Sequence, residues 1–135
     1  MAKDETYVID ICDQVLGRKA SRQHRFGFLL GDTGTALPVD AYYEDLALVV
    51  EYRERQHLEP VAFWDKKPTA SWIPRGQQRA LYDARRRDVL PENGIAVVEL
   101  SYSDFRCDSR GRLRRIPKDD ERVARDKLSR WLQSR

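Results

Sequence analysis

Asp40 and Glu51 stand eleven residues apart in "PVDAYYEDLALVVEYRERQH", with Arg53 two residues beyond the glutamate and His57 six beyond it. Two carboxylates brought close together repel each other and favour a compensating charge. A hard divalent cation with oxygen ligands, such as Mg²⁺, supplies that charge and keeps waters that can attack phosphorus. An arginine on the same surface stabilises the charge that develops on a scissile phosphate. A nearby histidine can exchange a proton or orient water. The chemistry this set suits is phosphodiester hydrolysis.

The element that must bring these residues together is a hairpin. Leu37 to His57 reads as two strands folded back on each other, with the acidic pair Glu44 and Asp45 as the turn. In that register Tyr43 faces Leu46, Asp40 stands opposite Val49, and Glu51 lies on the next diagonal. Val39, Ala41, Tyr43, Leu46, Leu48, Val50 and Tyr52 then share an apolar side, while Asp40, Val49, Glu51 and Arg53 share the other. Diagonal Cα atoms are roughly 7 to 8 Å apart, within reach of one bridging metal ion. The same pattern also suits an ordinary hairpin with an acidic solvent face.

Around the hairpin, "ETYVIDICDQVLGR" places Val8, Ile11, Cys12 and Val15 at helical spacing and ends at Gly17, predicting an amphipathic helix over residues 5 to 18. A strand is expected from Arg25 to Leu30, followed by a turn on Gly31 to Gly34 and a second strand from near Ala36. "DLALVVEY" is the third strand. The proline-punctuated stretch from Arg55 to Pro74 reads as a long connection. "RGQQRALYDARRRDVL" predicts a helix ended by "PENG", and "IAVVELSY" a strand buried on both faces. A basic helix spans about residues 118 to 133. The order is helix, three strands, helix, strand, helix, which makes an α/β sandwich with a mixed β-sheet flanked by helices.

"PVDAYY" followed by "LALVVEYRERQH" resembles the core of the PD-(D/E)XK, or restriction-endonuclease-like, superfamily. Pro38 to Asp40 stand for the PD element and Glu51, Tyr52 and Arg53 for the (D/E)XK element, with Arg where the family usually carries Lys. More narrowly, the chain is similar to the branch of very-short-patch repair endonucleases and their small uncharacterised relatives. Asp40, Glu51 and His57 match that branch's hairpin, Asp83, Arg86 or Arg87, Leu90 and Gly94 its following helix, and "RQHRF" the segment before the hairpin, so the similarity spans residues 5 to 105. The resemblance implies a Mg²⁺-dependent deoxyribonuclease, with Mn²⁺ able to substitute and Asp40 and Glu51 as metal ligands. Arg53 becomes the phosphate or transition-state stabiliser and His57 an auxiliary. Branch members often have an acid two residues after the glutamate. Arginine stays protonated and cannot act as a base, so this departure bears on activity more than on fold.

Other residues carry two readings each. Asp10 and Asp13 on the first helix can add a third carboxylate or lie on its solvent face, and Gln56 beside His57 is a weaker candidate. Arg79, Asp83 and Arg86 recur at helical spacing, where they can touch a phosphate backbone or pair with one another. With Arg87, these arginines are the expected nucleic-acid contacts. Trp64 and Trp72 can stack on bases or anchor the connection to the core. "GDTG" from Gly31 reads as a turn in preference to a protease triplet.

Length and composition are consistent with one domain over residues 1 to 135. Apolar residues make up 41% and charged residues 35%, and the apolar residues cluster in runs, so the chain should fold around a single core. The net charge is only +3, but most of the basic residues are arginines, and many of these sit in two stretches, "RGQQRALYDARRRD" and "RCDSRGRLRRIPKDDERVARDK". Arginine's planar fork suits phosphate. With Cys12 and Cys107 as its cysteines, a zinc site or disulfide framework is not expected. No apolar stretch reaches membrane-spanning length and the start lacks a signal-peptide pattern, so a soluble cytoplasmic protein is expected, acting on DNA and not on membranes. A homodimer is compatible with this reading.

The sequence therefore leads to a metal-dependent endonuclease of DNA. The alternative is a catalytically impaired protein of the same fold that binds nucleic acid or a protein partner, followed by a plain interaction domain.

Overall fold

The structure, a computed structural model, describes residues 3–55 and 75–132. Helix α1 runs Asp4–Leu16 and buries Val8, Ile9, Ile11, Cys12, Val15 and Leu16 along one stripe. It stops where Gly17 takes the left-handed conformation, φ 68°, which costs a glycine little. Strand β1 is Ser21–Leu30, β2 Ala36–Tyr43 and β3 Leu48–Arg53; helix α2 is Arg75–Glu92, β4 Ala96–Ser101, α3 Pro117–Lys127 and α4 Ser129–Leu132. The predicted order of helix, three strands, helix, strand and helix is observed. The C-terminal helix is broken into two at Leu128, whose side chain is fully buried.

The four strands form one sheet in the order β1-β2-β3-β4, antiparallel from β1 to β3 and parallel between β3 and β4. This is an α/β fold with a mixed sheet flanked by helices. On one face, α1 and α3 bury Val8, Cys12, Tyr43, Val50, Ala124 and Leu128 against each other. On the other, Leu90 of α2 packs with Phe26, Leu29, Val39, Val49 and Ile95. Among the described residues no helix is long and apolar enough to cross a membrane.

Three expectations are corrected. The strand buried on both faces is β3, all six of whose residues are buried, because it lies between β2 and β4 and between both helical layers. Among the described residues strand β4 ends the sheet, and along it only Leu100 is buried. Second, the hairpin pairs Ala41 with Val50, Tyr42 with Val49 and Tyr43 with Leu48. The connection is Glu44–Leu46 in a 3₁₀ turn, closed by Ala47 at φ 47°. Its centre therefore lies one residue later than Glu44-Asp45, which moves every partner by two without by itself exchanging the side-chain faces. Third, Val39 packs under α2 while Ala41 packs under α1. Strand β2 changes the face it buries on passing Asp40.

Candidate active site

The pairing of β2 with β3 ends at Ala41 and Val50, and Asp40 and Glu51 are the next residue on each strand. There the two strands exchange side chains for carbonyls. The Asp40 backbone N–H donates to Glu51 Oε2 at 2.6 Å, and the Tyr52 N–H donates to Asp40 Oδ2 at 2.7 Å. Each carboxylate thus satisfies a backbone donor of the opposite strand. This anchors both acids without help from flexible side-chain contacts, at the carboxyl end of β3 where α/β sheets commonly receive ligands.

Glu51 is 1% exposed. Its second oxygen, Oε1, lies 3.4 Å from Arg86 Nε and 3.5 Å from Arg53 Nη1. Arg53, 4% exposed, also reaches Asp83 Oδ1 at 3.3 Å and Glu99 Oε2 at 2.7 Å. Arg86 bonds Asp83 Oδ1 at 3.0 Å and the Pro38 carbonyl at 3.1 Å. Arg87, beside it on α2, holds the other oxygen of Glu99 at 2.7 Å. Three carboxylates and three guanidiniums therefore form one connected network between the sheet and α2. Buried charges are tolerated in such a place only when paired and hydrogen-bonded. One donor is left over: Arg53 Nη2 is buried with no acceptor among the described residues.

Glu99 and Glu51 are partners in the parallel ladder, and Glu51 accepts the Asp40 N–H, so the three acids stand on three adjacent strands. On the α1 side a further acid joins them. Glu5, in the first turn of α1, shares a hydrogen bond with Asp40 and feels the charge of Glu54. Burial, then the charge and hydrogen bond of Asp40, push the Glu5 carboxyl up to about 7, against a 2.8 Å hydrogen bond from Gln23. Glu51 is likewise pushed up to about 7 by burial and by Asp40, although Arg53 and Arg86 pull the other way. Glu99 behaves oppositely: burial raises it, but Arg87 and Arg53 outweigh burial and hold it below the ordinary carboxylate value. The acids around Asp40 thus retain protons close to neutrality.

The predicted site residues divide as follows. Asp40, Glu51, Arg53 and Arg86 are brought together. Arg53 faces the interior of the network, and Arg86, with its side chain 13% exposed, holds Glu51. Arg87 is the outermost of the network's arginines, with 47% of its side chain exposed, and Arg79 is half-buried on α2. His57, Gln56, Trp64 and Trp72 lie outside the described residues. Asp10 and Asp13 do not supply the third carboxylate. Both pair with Arg22, and Asp13 also accepts the Tyr43 hydroxyl at 2.6 Å and the Ala20 N–H at 3.1 Å.

Sequence reasoning missed Glu5 and Glu99. The signal for Glu99 was the repeated "VVE" of Val49 to Glu51 and Val97 to Glu99, each a lone acid in an apolar strand, which parallel pairing sets side by side. For Glu5 the signal was its place in the first turn of a helix, at the end of the layer that faces the hairpin.

Over 102 residues the chain is 28% identical to Uncharacterized protein 094L of Frog virus 3 (isolate Goorha), which covers 76% of this chain and 63% of that protein. The chain thus spans less than two thirds of that relative's length. No protein-family model matches the chain, and no solved structure matches it.

Proposed function

We propose that the protein is a metal-dependent endonuclease that hydrolyses DNA phosphodiester bonds on a restriction-endonuclease-like core. The observation that carries this reading is the crowding of Asp40, Glu51 and Glu5, two of which are pushed up to about 7. A site that holds protons because burial, and then the neighbouring carboxylates, disfavour its charge gives them up to a divalent cation. Among the described residues no group of three or more acid, histidine or cysteine side chains has metal-holding geometry, so an all-protein cage is not what is proposed. Mg²⁺ is commonly bound through one or two carboxylates, with water and substrate phosphate completing its shell. Asp40 and Glu51 suit that mode, and Mn²⁺ would serve in its place. The bound cation would neutralise phosphate charge and lower the pKa of an attacking water.

The chain's own residues do the rest. The Glu5 carboxyl, close to neutral pH, is suited to accept a proton from that water. Arg53 and Arg86 orient Glu51 and act through it. Arg87 and Arg79 are the proposed contacts to the DNA backbone, and His57 the proposed auxiliary acid or base.

A second reading is favoured by one observation. Arg53 stands at the position of the family's lysine, yet its guanidinium is committed to Glu51, Asp83 and Glu99. A protein of this fold that binds nucleic acid or a partner without cutting agrees with that commitment. Calorimetry with Mg²⁺ and Mn²⁺ on the wild type and on Asp40→Ala, followed by incubation with supercoiled plasmid, separates the two. Metal binding lost in Asp40→Ala, together with nicking by the wild type, supports hydrolysis. Metal binding without nicking leaves the binding reading, and no metal binding even with DNA present removes the catalytic one.

A further inference from the structure

A cavity of about 660 Å³ opens at the carboxyl end of β3, between the start of α1 and the turn after β4. Its walls carry Lys3, Arg55, Arg110, Arg112 and Arg115 against two carboxylates, Asp4 and Glu54. The excess of positive charge is arranged by backbone. The Asp108 carboxylate accepts the N–H groups of Arg110 and Arg112 at 2.8 and 3.0 Å, which closes a tight turn that presents both side chains. Gly111, at φ 82°, lies so close to Arg55 that a Cβ there would come within 2.9 Å of the Arg55 Cβ. Arg55 in turn bonds the Ser109 carbonyl at 2.7 Å. Arg115 is paired with Asp4 at 3.1 Å, whereas Lys3, Arg110 and Arg112 form no salt bridge among the described residues.

The cavity adjoins the carboxylates. Tyr52, which lines it, donates its N–H to Asp40. Glu54, also in its wall, acts on Glu5, and Asp4 precedes Glu5 in α1. We propose that this arginine-lined cleft receives the sugar-phosphate backbone of the DNA strand whose neighbouring phosphate lies on the Asp40 and Glu51 carboxylates. The inference rests on the hydrolytic reading for its substrate. A strand running off the carboxylates meets cations held in place by a preformed turn, and cation contacts to phosphate bind any sequence. Arg110 and Arg112 are exposed and held by no ion pair among the described residues, so they are the pair whose removal reads out the cleft without unfolding it.

The test is fluorescence anisotropy of a labelled single-stranded deoxyoligonucleotide in EDTA over a series of salt concentrations. It uses the wild type, the Arg110→Ala/Arg112→Ala double variant and Asp40→Asn. The double variant should bind at least about tenfold more weakly, and its slope of log affinity against log salt should be shallower by about 1.4, at about 0.7 per lost phosphate contact on a single strand. Its thermal midpoint should match the wild type, and Asp40→Asn serves only for the metal response. Wild-type affinity and slope in the double variant, or no binding by the wild type, would overturn the proposal. If the double variant loses binding while the wild type shows no response to Mg²⁺ or Mn²⁺, the cleft stands and hydrolysis does not. A metal response that Asp40→Asn abolishes, with binding intact in the double variant, removes the cleft alone.

Discussion

Asp40 and Glu51 each accept the backbone N–H that the opposite strand would otherwise offer to a carbonyl, Glu51 from Asp40 itself and Asp40 from Tyr52. The two acids are therefore part of the strand pairing as well as of the site. Substitutions that keep an acceptor should separate these roles.

Asp40→Asn retains an oxygen for the Tyr52 N–H but loses the charge. It should fold with nearly the wild-type unfolding midpoint while losing the Mg²⁺-induced thermal shift, and plasmid nicking should fall by at least about a hundredfold. Asp40→Ala should lose metal and some stability together, since a backbone donor is then left unsatisfied at about 1 to 3 kcal/mol. A metal shift that survives in Asp40→Asn would remove Asp40 from the metal site.

Removing Arg53 leaves the buried Glu51 and Asp83, and the partly exposed Glu99, short of a shared cation. Arg53→Ala should cost about 3 to 5 kcal/mol in urea unfolding, the range for breaking a buried ion pair from one side. Arg53→Lys keeps the charge but offers a single point donor where a fork now spans three carboxylates. It should fall between the wild type and the alanine variant. A near-neutral Arg53→Ala would mean that the network is screened by water.

The acids also set a pH dependence whose sign can be worked out. Glu5 and Glu51 lie near 7 in the folded chain against an ordinary 4.5. Between those values the folded state binds more protons than the unfolded one. Stability present below about 4.5 is then lost as pH rises through about 7. Glu99, held below its ordinary value, acts only at lower pH. Urea midpoints should fall from pH 5 to pH 8 without metal, less steeply in Glu5→Gln and less steeply again with saturating Mg²⁺. A flat profile in the wild type would sink the proton-sharing account. Nicking should rise over the same window as Glu5 becomes the free base, and Glu5→Gln should slow it about 10² to 10⁴-fold.

Asp13 serves as the control for acids on α1. It holds the buried Tyr43 hydroxyl and the Ala20 N–H, and burial with Asp13 raises the Tyr43 phenol far above its usual range. Asp13→Ala should cost about 1 to 3 kcal/mol through unsatisfied donors and leave metal binding at wild-type affinity. Loss of metal with unchanged stability would instead put Asp13, and not Glu5, at the site.

Periodicity alone identified the helices, the strands and their order. The alternation around Val49, Val50, Glu51 and Tyr52, and the stripe of Val8, Ile11, Cys12 and Val15, follow from which side chains can leave water. That constraint is written locally along the chain. It put Glu51 and Arg53 on one face of β3 before any partner was known, because a face is conserved under any register shift of two, but it did not show the change of face at Asp40.

The tertiary structure decided what periodicity cannot reach. Which residue faces which depends on where the turn is centred, and that was set by Leu46 folding toward the core and Ala47 adopting φ 47°, neither of which has a periodic signature. Whether Arg53 meets solvent or three carboxylates depends on α2 docking over the sheet, since Asp83 and Arg86 arrive from thirty or more residues away. Glu5 became part of the cluster only when α1 packed across the end of the hairpin. Charge acts through space and burial through the whole assembly, so the sequence determined which acids were candidates, and the packing of its layers decided which of them share a site.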